Sequence, residues 1–405
     1  MPWPCYGKQA MTDAAPIASG SAARRTALTP IDPACLGEVQ GLPGAFGPPP
    51  LRGALRLAPA DFAVEEMLGF EPDGSGQHRL IHLQKRELNT AEVAAALARL
   101  ADVARNAVGY GGRKDRRALT SQWFSVDLAG REEPDWAQGL GKLFGDRVRL
   151  LTVAPHRRKL RIGTLTGNRF RIRVRGISGD RMAAEARWAQ ILTGGVPNYF
   201  GPQRFGERGG NVRQALAWFA GERLARRSVR DLLLSAARSA LFNQLLAERV
   251  CEGSWNRAER GDALQLDGCG SWFVFGANDV PDDIAHRVDA GDLHPTGPLW
   301  GAGEPATGAR IGALERSLSA AYPELTAGLV RFGLRQDRRA LRVMPRDGRL
   351  LWQGDDLELT FTLPPGAFAT AVLKELLQPS ELPPQRMSGD GIPDTPDDGS
   401  IGEAG

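Results

Sequence analysis

Alternating apolar and polar positions predict β-strands in the first half of the chain and again near its end. The predicted strands cover residues 62–66, 78–85, 124–128, 168–175, 341–343, 350–352 and 357–363. In the third of these, Phe124, Val126 and Leu128 alternate with polar residues, which is the pattern of a half-buried strand. The sequence thus predicts a body rich in β-structure that starts near Leu51.

Helical periodicity separates these groups of strands. Thr90 is the predicted N-cap of a first helix, with Glu92 in its first turn. A second helix is predicted over 182–192, and a longer one begins with Ser228 as its cap. The apolar face of the longer helix is made of Leu232, Leu233, Ala236, Ala240 and Leu245. A last helix is predicted over 369–377.

The order of these elements predicts a discontinuous domain organisation. A β-rich parent domain is expected over 49–193 and 343–378, interrupted by a mainly helical inserted domain over 194–342. Residues 1–48 are rich in proline, glycine, alanine and serine and lack periodicity, which predicts a disordered leader. Residues 379–405 are expected to form a disordered acidic tail.

The net charge of +4 is unevenly distributed along the chain. Residues 379–405 contain six acidic residues and one arginine, a net −5, which leaves +9 for residues 1–378. A basic body suits a phosphate-rich partner, although charge that only maintains solubility is an equally simple interpretation. No apolar run is long enough to cross a membrane, and four scattered cysteines fit a reducing cytoplasm.

One predicted strand, over 168–175, carries a cationic face. Its apolar side chains point one way and its arginines point the other. These arginines are Arg169, Arg171, Arg173 and Arg175, and Arg157, Arg158, Lys159 and Arg161 lie just before them. Parallel arginines repel one another unless they are neutralised. The pattern favours contact with RNA or DNA over a solvated face that acids from elsewhere neutralise.

A glycine-rich turn before the strand at 124–128 holds a single carboxylate, Asp115, among cations. These cations are Arg113, Lys114, Arg116 and Arg117. Nearby positive charge favours the ionised form of a carboxylate, and adjacent glycines allow another backbone or a ligand to approach closely. Such a turn can attract a polyanion and present one carboxylate to it. A charged surface turn is the alternative.

Signatures of bound cofactors and metals are missing from the sequence. It contains neither a phosphate-binding G-x-x-x-x-G-K-[ST] loop nor a glycine fingerprint for dinucleotides. His78 and His82 are four residues apart, but they lie in a predicted strand without a carboxylate at ligand spacing. We therefore expect neither a cofactor nor a metal, and we interpret both histidines as structural.

Several motifs occur in the order found in one enzyme family. They lie at residues 62–65, 88–90, 112–122, 167–170, 198–206, 296–301 and 366–370. The segment 112–122 matches the pattern G-x-K-D-R-x-A-x-T-x-Q, and 198–206 reads N-Y-F-G-P-Q-R-F-G. From about Leu51 to Leu377, the chain resembles the TruD family of tRNA pseudouridine synthases.

The resemblance implies a fold and an activity. The implied fold class is α/β (α+β), with a mixed, mainly antiparallel central sheet flanked by helices and an inserted, mainly helical domain that completes a basic cleft. The family isomerises uridine to pseudouridine at position 13 of certain tRNAs, without a cofactor. A member of this family is expected to be a cytoplasmic monomer whose partner is tRNA.

The resemblance also assigns roles to individual residues. Asp115 is the expected catalytic aspartate, which either attacks the ribose C1′ or removes a ribose proton to give a glycal. Phe62, Asn168 and Phe368 are expected to contact the substrate, and core packing is the alternative for the phenylalanines. Residues expected to support the site are Lys114, Arg116, Phe170 and Glu65.

Basic and polar residues outside this site are expected to bind RNA. They are Arg157, Arg158, Lys159, Arg169, Arg171, Arg173, Gln203 and Arg204. For the last two, packing within their loop is an equally good interpretation. A non-catalytic RNA-binding protein or RNA chaperone on the same scaffold would share these surfaces without needing Asp115. A metal-dependent nuclease is disfavoured because the acids are not clustered.

Overall fold

The computed structural model describes residues 25–112, 114–116, 118–161, 163–224 and 229–380. The strands are β1 (Leu51–Leu55), β2 (Phe62–Leu68), β3 (His78–Lys85), β4 (Val108–Tyr110), β5 (Leu119–Asp127), β6 (Val148–His156), β7 (Leu165–Gly179), β8 (Val196–Pro197), β9 (Ala263–Leu266), β10 (Trp272–Val274), β11 (Leu293–Leu299), β12 (Asp337–Ala340), β13 (Arg342–Val343), β14 (Arg346–Gln353), β15 (Asp356–Leu363) and β16 (Leu377–Pro379). The α-helices are α1 (Thr90–Leu100), α2 (Trp136–Phe144), α3 (Arg181–Gly194), α4 (Gly210–Phe219), α5 (Arg230–Cys251), α6 (Pro281–Asp289), α7 (Ala309–Ala321), α8 (Pro323–Arg331) and α9 (Ala369–Leu376).

Ten strands form one mixed sheet. Its central path runs β14-β15-β7-β2-β5-β3-β6, while β1 pairs with β7 and β16, and β4 pairs with β5. Within the described residues, the parallel pairs of this sheet are β2 with β5 and β1 with β16. The predicted fold class, a mixed and mainly antiparallel sheet flanked by helices, is confirmed.

Two groups of helices cover one face of this sheet. Helices α3 and α9 pack over β7 and β15, around Ile172 and Phe361, whereas α1 and α2 pack over β3 and β5, around Ile81 and Phe124. Val64 pairs with Phe170 on one side and with Thr120 on the other, so both clusters lie on the same face. Between the two helix groups, the same face carries a polar strip that consists of Glu66, Thr120, Gln122 and Asn168.

Strand positions and most of their burial were predictable because alternation is a local property. β5 alternates buried and partly exposed positions, as a half-buried strand should, except that Ser125 is fully buried. The hydroxyl of Ser125 accepts a hydrogen bond from the backbone N–H of Leu160 at 2.9 Å. The segment that contains Leu160 therefore covers β5 at Ser125, one position on the face that the sequence predicts to be exposed.

Two predicted helix starts need correction. The N-cap of α1 is Asn89, whose backbone N–H donates to the Glu92 carboxylate at 2.6 Å, and Thr90 is the first helical residue. Ser228 lies outside the described residues, and Val229 precedes the first residue of α5. Leu232 is exposed, whereas the other predicted apolar positions of α5 are buried. Because α5 is buried over most of its circumference, its sequence gives only a weak indication of one apolar face.

The predicted inserted segment contains α4 to α8 and a sheet that the sequence did not predict. The order of this sheet is β10-β9-β11-β12. Strand β11 is buried along nearly its whole length and includes Pro295 and Pro298, so it shows no alternation and reads as a turn-rich stretch. The domain boundaries themselves stay a prediction. No helix among the described residues combines the length and the apolar character that a bilayer crossing needs.

The described part of the predicted leader, residues 25–48, is ordered, so that prediction is wrong for this segment. Leu28, Leu36 and Leu42 are buried in the same hydrophobic cluster as α5. The backbone N–H of Thr29 donates to Glu248 at 2.8 Å, and that of Ile31 donates to the Tyr322 hydroxyl at 3.0 Å. Side chains of the folded body thus satisfy a backbone that has little regular structure beyond a 3-10 turn at Pro33–Cys35, which composition alone does not reveal.

Residues 25–48 form an N-terminal arm, and α9 holds the C-terminal end of this arm. The carboxylate of Glu375 accepts the backbone N–H of Ala45 at 3.0 Å and that of Phe46 at 3.3 Å, and Lys374 donates to the Leu42 carbonyl at 2.5 Å. Burial raises the pKa of Glu375 and lowers the pKa of Lys374 to about 8. Two desolvated charges therefore fix residues 42–46.

We expect Glu375→Ala to lower the free energy of unfolding by about 1–3 kcal/mol, because the backbone N–H groups of Ala45 and Phe46 lose their acceptor. Urea unfolding measures this loss, and amide hydrogen exchange over 42–46 should accelerate. The control Glu38→Ala changes an exposed side chain and should stay within about 0.5 kcal/mol of the parent chain. Unchanged exchange in the Glu375 variant would contradict the proposed anchoring.

Candidate active site

The polar strip of the sheet leads to the turn between β4 and β5, which carries Asp115. Glycine is required just before it, since a Cβ atom at Gly111 would lie 2.6 Å from the Leu165 side chain. Two cations of the predicted cluster, Arg113 and Arg117, lie outside the described residues. Lys114, Asp115 and Arg116 are described, and the Asp115 side chain is 23% exposed.

Asp115 is paired with an arginine from another segment of the chain. Arg56 Nη1 lies 3.1 Å from Asp115 Oδ2, and its guanidinium lies over the Phe62 ring at 4.2 Å from the centroid. Arg56 follows β1 and has a positive φ of 60°. No local pattern indicates Arg56, because neither a left-handed backbone nor the approach of two segments 59 positions apart leaves a trace among neighbouring residues.

Lys114 anchors the turn to the sheet. Its Nζ donates to Asn168 Oδ1 at 2.6 Å and lies 3.0 Å from Glu66 Oε1, an ion pair outside hydrogen-bond geometry. The other oxygen of Glu66 accepts the backbone N–H of Trp123 at 2.8 Å. Burial raises the pKa of Glu66, while Lys114 opposes this shift. The contact joins β2, β7 and the turn that carries Asp115 at one point.

Backbone hydrogen bonds hold the turn on both sides of residue 113. The N–H of Lys114 donates to the Thr90 hydroxyl at 3.0 Å, and this hydroxyl donates to Gln122 Oε1 at 3.1 Å. The amide of Gln122 donates to the Gly112 carbonyl at 2.7 Å. Thr90 therefore positions the site from the first turn of α1, which explains why another residue takes the N-cap.

A second buried lysine lies beneath the turn. Lys85 is 1% exposed and donates to the Leu88 carbonyl at 2.8 Å. Burial lowers its pKa to about 8, and the charges of Glu66 and Asp115 oppose this effect. Strand alternation indicates that both charges are buried. Lys85 shares a strand face with the apolar Ile81 and Leu83, and Glu66 shares one with Val64.

Two predicted supporting residues lie away from this network. Glu65 is exposed and lies 3.5 Å from Arg169, whereas its neighbour Glu66 is the buried carboxylate at the site. The guanidinium Nε of Arg116 donates to the Glu87 carbonyl at 3.1 Å, and the residue is exposed. Strand alternation places Glu65 on the opposite face from Lys114, so its predicted place in the site is wrong.

The predicted aromatic residues occupy different positions. Phe62 is 5% exposed and contacts Phe170 edge-on, with ring centroids 6.3 Å apart. Phe170 stacks on Phe361 within the core, in agreement with the packing alternative. Phe368 caps α9 and contacts Phe200 edge-on at 6.0 Å. Of the three phenylalanines, Phe62 therefore borders Asp115 through the Arg56 guanidinium.

The arginine face of β7 points away from the turn that carries Asp115. Asn168 pairs with Glu66 on the helix-covered face, so Arg169, Arg171 and Arg173 point to the opposite face. Arg173 contacts Asp356 at 2.8 Å, and Arg169 contacts Glu65. Acids of neighbouring strands thus neutralise part of this face, as the alternative interpretation held. Arg171 has no acid within ion-pair distance in the described part of the chain.

The remaining predicted RNA contacts lie in two other places. Arg157, Arg158 and Lys159 are exposed and line a cavity at the start of β3. Arg204 donates to the Ser235 hydroxyl at 2.7 Å and lies over the Phe200 ring, and burial lowers its pKa. Gln203 is exposed. The contacts of Arg204 are those of a packed side chain.

No group of three or more His, Cys, Asp or Glu side chains suited to a metal ion occurs in the described ranges. Of the two histidines spaced by four residues, His82 stacks on Trp123 with centroids 4.3 Å apart. The structural interpretation of His82 agrees with this contact.

Comparisons with known proteins agree on one family. The model of the family "tRNA pseudouridine synthase D (TruD)" matches residues 45–215 and 215–376. A tRNA pseudouridine synthase D from Methylococcus capsulatus is 47% identical over 356 residues, which cover 87% of this chain and 97% of that protein. One from Nitrosococcus oceani is 46% identical over 341 residues, covering 83% and 93%.

A solved structure shows the same fold. It is that of a candidate tRNA pseudouridine synthase D from Methanosarcina mazei, with a TM-score of 0.62 and 23% sequence identity. The match covers 84% of this chain and 97% of the other. At this level of identity, the likeness concerns the fold alone.

Replacement of Glu66 should reveal how strongly the turn is anchored. We expect Glu66→Leu to lower the free energy of unfolding by about 3–5 kcal/mol, because Lys114 and the Trp123 N–H lose their partner. Glu66→Gln keeps an acceptor for Trp123 and should cost less. The control Glu65→Gln changes the adjacent exposed carboxylate and should stay within about 0.5 kcal/mol. Equal effects at 65 and 66, measured by urea unfolding, would refute this anchoring.

Proposed function

The chain belongs to the tRNA pseudouridine synthase D family, and we propose that it isomerises uridine to pseudouridine in tRNA, with Asp115 as the catalytic carboxylate. Uridine-13 is the proposed target. The observation that carries the proposal is the ion pair between Asp115 and Arg56 on a turn fixed to the sheet by Lys114. An adjacent guanidinium stabilises the negative charge that the reaction requires.

The proposed reaction is a balanced isomerisation. The bond between the ribose C1′ and N1 of uracil breaks, the base rotates, and C1′ bonds to C5 while C5 loses a proton and N1 gains one. Nothing is oxidised or added, so the reaction needs no cofactor. Asp115 either attacks C1′ or removes a ribose proton, and both steps begin from the ionised carboxylate.

The target uridine must leave its stack to reach Asp115. We assign one wall of the pocket that receives the uridine to Phe62 and to the Arg56 guanidinium above its ring. Because Asn168 Oδ1 accepts from Lys114, the Asn168 amide nitrogen is the group available to donate to a uracil carbonyl. Phe368, placed between α9 and Phe200, is the proposed substrate contact on the side of the inserted segment.

We expect Asp115→Asn to lower the rate of pseudouridine formation by at least 10²- to 10⁴-fold, because an amide neither attacks C1′ nor removes a proton. Incubation with unmodified tRNA and mapping by carbodiimide chemistry measures the product. Filter binding should show nearly unchanged tRNA affinity, and the control Asp146→Asn, at an exposed position, should keep full activity.

The alternatives predict other results in the same assay. A non-catalytic RNA-binding protein or chaperone would form no pseudouridine before or after the substitution. A metal-dependent nuclease would shorten the RNA and stop in EDTA, whereas the proposed isomerase leaves RNA length unchanged and works in EDTA. Activity retained by the Asn variant would remove Asp115 from the reaction.

Arg56 should act on the rate rather than on RNA affinity. We expect Arg56→Gln to lower kcat on the order of 10²-fold, because the Asp115 carboxylate loses its charged partner. Arg56→Lys retains the charge without the planar fork and should give an intermediate rate. Exposed Arg349→Gln is the control and should leave kcat unchanged. A normal kcat in Arg56→Gln, measured under saturating tRNA, would show that the pair is dispensable.

A further inference from the structure

A cavity of about 870 Å³ lies at the end of β3 that is remote from the catalytic turn. His78 lines the cavity, whereas Lys85, at the other end of the strand, lies beneath Asp115. Seven residue steps at roughly 3.3 Å each separate the two ends by about 23 Å. The volume lies in the range of small-ligand sites, so a single nucleotide fits.

Cations dominate the rim of this cavity. The exposed side chains are Arg157, Arg158, Lys159 and Arg161, against the two acids Glu71 and Asp73. Asp73 already contacts His156 Nδ1 at 2.8 Å and accepts the backbone N–H of Arg157 at 2.9 Å. The cationic side chains therefore exceed the acids that could neutralise them, in contrast to the arginine face of β7.

The cavity also contains an aromatic surface. Phe70 stacks on the ring of His156, with centroids 5.0 Å apart and an interplanar angle of 19°. Bases of single-stranded nucleic acids stack on such rings without regard to sequence. Cations beside an aromatic surface are the combination that binds a phosphate together with its base.

An unsatisfied histidine gives an independent indication of a ligand. His78 is 7% exposed, and its Nδ1 has no hydrogen-bond partner among the described residues. Burial lowers the pKa of His78, which keeps the ring neutral at neutral pH. A buried polar atom without a partner is unfavourable in a folded chain, and a ribose hydroxyl or a base edge would satisfy it.

The same chain segment links this cavity to the catalytic turn. Leu160 crosses β4 so closely that a Cβ atom at Gly109 would lie 2.3 Å from its carbonyl oxygen. Farther along, Leu165 packs against Gly111, at the start of the turn. Leu160 and Leu165 therefore lie against β4 and against the start of the turn that carries Asp115.

We propose that this cavity binds one nucleotide of the tRNA substrate other than the target uridine. Its phosphate contacts Arg157 and Arg158, its base lies against Phe70 and His156, and His78 bonds to its ribose or base edge. The inference rests on the proposed function, since it takes the bound polyanion to be the RNA that also reaches Asp115.

The first test removes the cations at the cavity rim. For Arg157→Ala/Arg158→Ala, we expect the KM for full-length tRNA to rise about tenfold at 0.15 M salt, because two phosphate contacts are lost. The kcat should stay unchanged. A short hairpin that carries the target uridine but is too small to reach the cavity at the same time should react with unchanged KM. The matched control Arg331→Ala/Arg349→Ala, at exposed arginines elsewhere, should leave both substrates unaffected.

A second variant tests the buried nitrogen. His78→Leu removes an unpartnered polar atom, so its melting temperature should equal or exceed that of the parent chain. We expect its KM for full-length tRNA to rise all the same. A KM that rises while the melting temperature does not fall distinguishes loss of a ligand contact from damage to the fold.

The outcomes that overturn the inference are distinct from failure of the proposed function. An unchanged KM for full-length tRNA in both variants overturns it, and so does an equal effect on the short hairpin. If the parent chain forms no pseudouridine, the proposed function fails. Filter binding of tRNA then still tests whether the cavity binds RNA. An unchanged tRNA Kd in the double variant, or an equal loss of affinity for single-stranded DNA, then overturns the RNA site.

Discussion

The buried ion pair between Glu66 and Lys114 links the centre of the sheet to the turn that carries Asp115, the proposed catalytic residue. Neither charge is favourable in this position without the other, because desolvation of an unpaired charge is costly. Asn168 and the Trp123 backbone complete the contact, so β2, β5, β7 and the turn meet at one point. Asp115 is the next residue in the chain, and its location follows from that of Lys114.

The N-terminal arm, residues 25–48, is likewise held in place by polar side chains of the folded body. Residues 25–48 have little regular structure, yet their backbone groups bond to Glu248, Tyr322 and Glu375. Tyr322 belongs to the hydrophobic cluster around α5, and Glu248 lies on α5 itself. Glu375 lies on α9, whose apolar side chains belong to the cluster beneath the large sheet. The arm therefore contacts both hydrophobic cores, and buried side chains replace the pairing that a helix or a strand would provide.

Charge patterns in the sequence had two structural outcomes. The arginines of β7 alternate as predicted, but neighbouring strands supply Glu65 and Asp356 against two of them. The cations at 157–161 follow the end of β6 and face a cavity whose acids are partly engaged elsewhere. Sequence alone did not separate these cases, because neutralisation is set by residues that lie more than 80 positions away in the chain.

Local order along the chain was sufficient for β2, β3, β5, β7, β13, β14 and β15, for helices α1, α3, α5 and α9 and, through the motifs, for the family. It did not predict β6 or the sheet formed by β9 to β12. It was insufficient for Arg56, for Glu66 in place of Glu65, and for the ordered arm. Alternation and helical period record which face a residue shares with its neighbours in sequence. Strand register, a left-handed backbone at Arg56 and contacts between distant segments arise only when the chain has folded, because they are set by partners that no local pattern encodes.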